Sequence, residues 1–286
     1  MDRVAVVADS VCCIPSELVK ELDICVIPLL IIHEGKSYRD GVDMSPTEVY
    51  RLMRKRNVLP TTSIPSPGDI IDTYRRVSRK ADSILCITVT GLQSKMYDSA
   101  LLAKEMAGEE LAQTTIEVMD SRAVAGAMGF IVLAAARAAQ QGASLADVMA
   151  AAESMKSRVS SLFMLDTLYY LARTGRIAKA AAWAGAVLDM KPVVEHSTAI
   201  GETTPVARPR TKSKALGRML DIMSDRIGDA PAHVMVHHGD ELEEAEKLKS
   251  RIADRFNCVE LYVTDFTPAM GVHAGPGLLA VSFYAC

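Results

Sequence analysis

The sequence predicts an α/β protein of two domains. Residues 1–157 read as an N-terminal α/β domain on a parallel sheet, and residues 158–286 as a C-terminal α/β domain with a mixed, partly antiparallel sheet. Three observations predict this. Short β-branched runs alternate with helical segments through the first half, the pattern of a parallel sheet with helices on both faces. In the second half, two strand-like runs are joined by the short connection 197–202, as in a hairpin, so antiparallel pairing enters. The 286 residues, long enough for one large domain or two ordinary ones, are 49% hydrophobic and 23% charged, which is globular composition with ample material for a core. No internal repeat or low-complexity linker marks the boundary, which is placed near 155–160.

In chain order, residues 3–8 form a first strand ending at Asp9-Ser10, and a helix follows from Pro15. Residues 25–32 read as a second strand. Ser45-Pro46-Thr47-Glu48 sets a capping residue, a proline at the first helical position and a glutamate three residues after the cap, which starts a helix. Ser66-Pro67-Gly68-Asp69 repeats the pattern and opens a helix to about residue 79. Residues 83–89 are a third strand, followed by a turn at Thr90-Gly91 and a helix from near Ser94 to Met106. Residues 116–119 are a fourth strand, closed by Asp120-Ser121-Arg122 and followed by a long apolar helix to about Gln140. Ser144 opens a further helix that leads into the second domain. There the strand candidates are 160–165, 192–195, 203–207, 232–237, 259–264 and 278–284, with helices near 166–173, 213–227 and 241–256.

Composition excludes several functions. The net charge is −3, with no basic excess and no aromatic–basic interleaving, so nucleic-acid binding is not expected. The start of the chain reads as a strand and not as a signal peptide. The apolar segment 123–136 falls short of the roughly 20 residues needed to span a bilayer. Cys12, Cys13, Cys25, Cys86, Cys258 and Cys286 show no metal-ligand or C-x-x-C spacing, so reduced thiols and a cytoplasmic location are expected. No phosphate-binding loop or G-x-G-x-x-G pattern supports a nucleotide site, and no metal site is expected.

In a parallel α/β sheet, ligands bind beyond the carboxyl ends of the strands. Asp9-Ser10, Thr62-Ser63, Ser94 and Asp120-Ser121 all fall at or just after such ends. Thr62 and Ser63 sit in a loop before the capped helix, where hydroxyls and N–H groups suit an anion. Ser94 stands where a strand-turn meets a helix start; it is a donor to an anion, a nucleophile or a plain cap. The stretch Gly271-Val272-His273-Ala274-Gly275-Pro276-Gly277 reads as a glycine-rich loop holding His273 at a sheet end, with Gly271, Gly275 and Gly277 allowing close approach to the backbone. Ser94 with His273 also suggests an acyl hydrolase or transferase, although the G-x-S-x-G elbow is absent. In His237-His238-Gly239-Asp240 the two imidazoles point to opposite faces of a strand and cannot share an ion; Asp240 is read as the cap of the next helix. Arg173 and Arg176 after one helix, and the run Arg208-Pro209-Arg210-Thr211-Lys212-Ser213-Lys214, are either solvated faces or docking patches.

Taken in order, these pieces resemble the DegV family of bacterial fatty-acid-binding proteins. Asp9-Ser10 resembles its D-S start. Thr62-Ser63-Ile64-Pro65-Ser66 resembles T-S-Q-P-S, with isoleucine for glutamine. Residues 87–100 resemble the stretch ending L-S-G-T-Y-x-S-A, matching at Ser94, Tyr97, Ser99 and Ala100. Asp120-Ser121-Arg122 resembles D-S-R. Leu165-Asp166-Thr167-Leu168 and Gly175-Arg176-Ile177 resemble L-D-x-L…G-R-I. Lys191-Pro192 resembles K-P, and 271–277 matches G-x-H-x-G-P-G. The resemblance implies a fatty acid buried between two α/β domains (the EDD fold), with its carboxyl group held at Thr62, Ser94 and His273, and Ser63 beside them. It implies a non-catalytic acyl carrier for a separate fatty-acid kinase in phospholipid synthesis, with Arg176, and Arg173 near it, on the side of that partner. No cofactor is implied beyond the bound fatty acid. The chain departs from the family pattern where Lys95-Met96 replace Gly-Thr beside the headgroup site. Besides the hydrolase, a regulatory module that senses a lipid remains an alternative at this point.

Overall fold

The computed structural model describes residues 3–55, 57–177 and 190–286. From the amino terminus the elements are β1 (Val4–Asp9), α1 (Ser16–Glu21), β2 (Cys25–Ile27), β3 (Leu30–His33), β4 (Lys36–Arg39), α2 (Pro46–Lys55), β5 (Thr61–Ser63), α3 (Pro67–Ser78), β6 (Ser83–Thr88), α4 (Met96–Met106), β7 (Thr115–Asp120), α5 (Ala125–Gln140) and α6 (Leu145–Lys156). They continue with β8 (Ser160–Met164), α7 (Tyr169–Thr174), β9 (Val193–Ser197), β10 (Glu202–Ala207), α8 (Lys212–Ile227), β11 (Ala232–His238), α9 (Leu242–Arg255), β12 (Cys258–Asp265), α10 (Pro268–Ala274) and β13 (Leu279–Ala285).

Two α/β domains result. The first holds a four-stranded parallel sheet in the order β2-β1-β6-β7, the second a mixed six-stranded sheet in the order β10-β9-β8-β13-β11-β12. A small antiparallel sheet, β4-β3-β5, flanks the first. Helices α3 and α4 cover one face of the parallel sheet, and α5 and α6 the other; α8 and α9 cover the outer face of the mixed sheet. Helix α5 also packs on β8 and β13, so one layer of helices serves both sheets. This explains the apolar run around residues 123–136. Helix α5 is buried on nearly every side, and a helix between two sheets has no face to leave polar. At Gly126 the approach is so close that a Cβ would collide with the His237 ring and come within 2.8 Å of Ser282.

The capping prediction at Ser66 holds. Its Oγ accepts from the Asp69 N–H at 3.2 Å, and Asp69 reaches back to the Ser66 N–H at 3.0 Å. Four expectations change. Residues 25–32 are not one strand: the chain breaks at Pro28, leaving β2 in the parallel sheet and β3 in the antiparallel one. Thr62 and Ser63 lie on strand β5, paired with Ile31 and Leu30, and not in a loop. The first half of 271–277 is helical, as the end of α10. Asp240 does not cap α9; it forms an ion pair with Arg54 across the domains, and the Glu241 N–H donates to His238 Nδ1 at 3.4 Å.

The basic run is neutralised in part by its own domain. Lys212 pairs with Glu241 at 3.1 Å, while Thr211 caps α8. Among the described residues, no helix is long and apolar enough to cross a membrane.

Candidate functional site

Helix α10 is seven residues long because each end is fixed. Pro268 supplies its first turn, and Gly275 stops it with φ +84°, a conformation that side chains rarely adopt. Asp40 anchors the helix from a distant loop: its Oδ1 accepts from the Ala269 N–H at 2.9 Å and its Oδ2 from Ser10 Oγ at 2.5 Å. Burial raises the Asp40 carboxyl above its ordinary value against these bonds. Next to it, burial lifts Asp9 to about 7, although its two oxygens accept from the N–H groups of Val89 (2.7 Å) and Val11 (3.0 Å). Asp9-Ser10 therefore ties the end of β1 to the end of β6 and to α10. It is a structural junction rather than a ligand site.

The last turn of α10 carries His273, whose Nε2 lies 2.9 Å from Thr62 Oγ1 on β5. These residues are 211 positions apart and close one end of a cavity of about 270 Å³ between the domains. That volume lies just below the roughly 300–1,000 Å³ usual for ligand pockets. Val11, Leu29, Val89 and Val124 line it from the first domain, and Phe163, Leu165 and Phe266 from the second. Ser63, Ser94, Lys95, Gln93, Arg176 and Thr203 complete the wall. The structure thus brings Thr62, Ser63, Ser94 and His273 onto one cavity.

Electrostatically the polar end is short of negative charge. Burial pushes the His273 imidazole down to about 3, with the Arg176 charge adding to the effect, so the ring is neutral near pH 7. Its Nδ1 is buried without a partner. The tautomer that leaves a lone pair unmet there, rather than an N–H, puts the proton on Nε2. Nε2 then donates to Thr62 Oγ1, and the Thr62 hydroxyl hydrogen is free to donate into the cavity. Arg176 is half-buried, and burial lowers its guanidinium below the usual value; its head donates to the Thr174 carbonyl. Among the described residues it has no carboxylate partner.

The other sites predicted from sequence fall differently. Ser94 is half-buried on the cavity wall, and its Oγ accepts from the Met96 N–H at 3.2 Å. Ser63 is exposed, with its hydroxyl turned to the Ile64 carbonyl at 3.4 Å. Lys95 reaches outward, pairing with Asp98 at 2.9 Å with 79% of its side chain exposed, while Met96 is fully buried. Arg173 is exposed on α7, whereas Arg176 faces the cavity. The three glycines make close approaches, but to protein groups. A Cβ at Gly271 would lie 2.8 Å from the Tyr50 ring, one at Gly275 would collide with Tyr170, and one at Gly277 would lie 2.6 Å from the Asp166 carboxylate.

Sequence reading did not single out Gln93 or Thr203. Gln93 Nε2 donates to Thr203 Oγ1 at 3.1 Å and to the Arg176 carbonyl at 3.3 Å. Around them the β9–β10 hairpin docks on the first domain: Thr90 Oγ1 donates to the Gly201 carbonyl (3.2 Å) and Arg122 to the Ala199 carbonyl (2.6 Å), and His196 Nε2 meets the Arg122 carbonyl (3.0 Å). The motif Asp120-Ser121-Arg122 shapes this junction, with Asp120 accepting from the N–H groups of Arg122 and Gly91. The one available signal was the position of Gln93 directly before Ser94. Among the described residues, no group of three or more His, Cys, Asp or Glu is placed to hold a metal ion.

Comparison with known proteins gives a consistent result. A family model described as "Uncharacterised protein, DegV family" matches residues 3–285. A DegV domain-containing protein of Streptomyces coelicolor is 34% identical over 281 residues, covering 98% of this chain and 97% of its own. Protein DegV of Bacillus subtilis is 30% identical over 281 residues, covering 98% of each. Among solved structures, a DegV family protein from Thermus thermophilus, described for its fatty acid binding, superposes with a TM-score of 0.90 at 28% identity, covering 99% of this chain and 100% of its own. DegV of Bacillus subtilis, described as a fatty acid binding protein, gives 0.89 at 29% identity with full coverage of both chains. With its fold, and nearly its whole length, matched in this way, the chain belongs to the DegV family.

Proposed function

We propose that this protein binds one long-chain fatty acid in the interdomain cavity and presents its carboxyl group to a separate fatty-acid kinase for acyl-phosphate formation. The carrying observation is the Thr62–His273 pair at one end of a largely apolar cavity. A carboxylate there accepts from the Thr62 hydroxyl, with Ser94 as a second donor and the desolvated Arg176 guanidinium supplying charge. Burying an alkyl chain of about 16 carbons contributes on the order of 10 kcal/mol, at roughly 0.8 kcal/mol per methylene. Each hydrogen bond to the charged head adds about 1.5–3 kcal/mol. The chain therefore sets most of the affinity and the polar end sets the orientation. Fatty acid binding by the relatives from Thermus thermophilus and Bacillus subtilis supports the same reading.

The protein acts here as a carrier without catalysis of its own. Against a Ser94/His273 hydrolase stands the geometry of the pair: His273 Nε2 is engaged by Thr62, and Ser94 Oγ is held by the Met96 N–H. Mass spectrometry of organic extracts of the purified protein tests the ligand; a single fatty acid at about one per chain is expected, and a polar metabolite in its place would overturn the reading. The partnership is tested separately with a cognate kinase. Arg173→Glu, on the exposed face of α7, is expected to leave fatty-acid retention intact and to lower the rate of acyl-phosphate formation.

A further inference from the structure

At the far end of the mixed sheet, three neighbouring strands bring together a thiol, an imidazole and a carboxylate. Cys286, directly after β13, has its Sγ 3.3 Å from His233 Nε2 on β11. On the other side of that ring, His233 Nδ1 lies 2.6 Å from Glu260 Oε2 on β12. Glu260 is itself held by Arg137 at 2.5 Å through its second oxygen. Burial works to raise the Glu260 carboxyl, but the hydrogen bond from His233 and the Arg137 charge outweigh it and keep it below its ordinary value. A carboxylate only accepts, so Nδ1 carries the proton and Nε2 presents a bare lone pair to the thiol. That is a nucleophile, a base and a group that orients the base.

The arrangement is fixed in place. The His233 ring stacks on Tyr284 at 4.5 Å with an interplanar angle of 2°. The Cys286 N–H donates to the Pro231 carbonyl at 2.8 Å, and Arg158 donates to the Ala285 carbonyl at 2.7 Å. The guanidinium of Arg158 also lies over the Tyr284 ring, 5.1 Å from its centre, and it has no carboxylate partner among the described residues. Cys286 is the exposed cysteine; Cys12, Cys13 and Cys86 are buried, and Cys25 and Cys258 half-buried. Burial also pushes the Cys12 and Cys86 thiols up to about 12. Strand β13 runs its full length between this cluster and the fatty-acid cavity, about 20 Å at 3.3 Å per residue, so the two sites are distinct.

We propose that Cys286, with His233 as its base and Glu260 as a positioning residue, is a thiol–disulfide exchange site for an anionic low-molecular-weight disulfide. Cys286 Sγ attacks one sulfur of the disulfide as its proton passes to His233 Nε2. The S–S bond of the small molecule breaks, and its leaving thiolate takes the proton back from His233. The products are a mixed disulfide on Cys286 and one free thiol; Cys286 is oxidised and the departing half is reduced. The Arg158 charge is why an anionic disulfide is favoured.

The test is the rate of reaction of the full-length protein with glutathione disulfide at pH 7, followed by intact mass spectrometry and peptide mapping. One glutathionyl group on Cys286 is expected, and none on that peptide in Cys286→Ser. A thiol is intrinsically a strong nucleophile, so loss of the base in His233→Gln slows the reaction by about tenfold rather than by the full range of general-base effects. Glu260→Gln slows it severalfold and Glu260→Asp restores it, with the thermal midpoint measured for each to separate reactivity from folding. Labelling spread over Cys25 and Cys258 overturns the proposal. So does a Cys286 rate unchanged in His233→Gln or, should that variant not fold, unchanged in Glu260→Gln.

Discussion

Replacing Thr62 by valine removes one hydroxyl at nearly constant volume and isolates what that group does. In the structure, Thr62 Oγ1 is the partner of His273 Nε2 at 2.9 Å, and His273 Nδ1 has none. The substitution leaves both ring nitrogens without a protein partner. An unsatisfied buried polar group costs about 1–3 kcal/mol, so the folded protein loses roughly that much stability. Binding is affected separately. Loss of one hydrogen bond to a charged carboxylate removes about 1.5–3 kcal/mol, and at 1.4 kcal/mol per factor of ten this weakens affinity roughly 10- to 150-fold. Displacement of a fluorescent fatty acid by palmitate measures it, with methyl palmitate as the control. The methyl ester has the same chain but no charged head, so the wild type should prefer the acid strongly and Thr62→Val should lose most of that preference. Equal affinity of Thr62→Val and wild type for palmitate would refute the headgroup assignment while leaving chain burial untouched.

Three further outcomes are expected. Burial holds His273 and His237 at about 3 and His196 at about 4, against 6.5 for the free group; the unfolded chain therefore binds more protons between pH 6.5 and 4, and stability falls as the pH drops through that window. Asp9, lifted to about 7 from 3.8, acts in the opposite sense, and Asp40 does likewise. The histidines outweigh the aspartates, the net slope between pH 6.5 and 5 is about 1–2 kcal/mol per pH unit, and urea titrations at pH 6.5 and 5 that gave equal or rising stability on acidification would contradict it. Gly271→Ala forces a methyl to 2.8 Å from the Tyr50 ring and should destabilise by about 1–3 kcal/mol through overpacking, read as a lower thermal midpoint; no change would mean that Tyr50 gives way freely. Gln93→Leu deletes both bonds to Thr203 and Arg176, each contributing about 1 kcal/mol, and should release bound fatty acid several times faster in a stopped-flow transfer assay.

Much of the architecture was legible because local pattern and tertiary need agree. The β-branched runs at 3–8 and 83–89 became β1 and β6, fully or largely buried, and the cap at Ser66 formed as its spacing required. Strands β4 and β5 were not legible. Lys36–Arg39 is polar and mostly exposed, and Thr61–Ser63 carries three hydroxyls, so neither shows an apolar period to read. Helix α10 was hidden by Gly271 and Gly275, which signal a loop; here Gly271 sits inside a helix because the Tyr50 ring occupies the space of its side chain. For the site, His273 and Thr62 could be nominated singly. Their contact, and the interdomain bonds of Gln93, Arg122 and His196, join residues 74 to 211 positions apart, and no local spacing encodes such distances. Cys286, His233 and Glu260 are hidden for the same reason, since strand order and not sequence order makes them neighbours.

Strand β13 lies between β8 and β11, although it follows every other strand of its sheet in the chain. Until it is synthesised, the second sheet consists of two separate pieces, β10-β9-β8 and β11-β12, with apolar edges open between them. On the ribosome the first domain can form its own parallel sheet early. The second must wait, and it closes in one late step in which the last strand is inserted between partners already made. Such a chain is most exposed to aggregation before β13 emerges, when both unpaired edges await the same strand. A nascent chain stalled before residue 279 would accordingly be the form most dependent on chaperones.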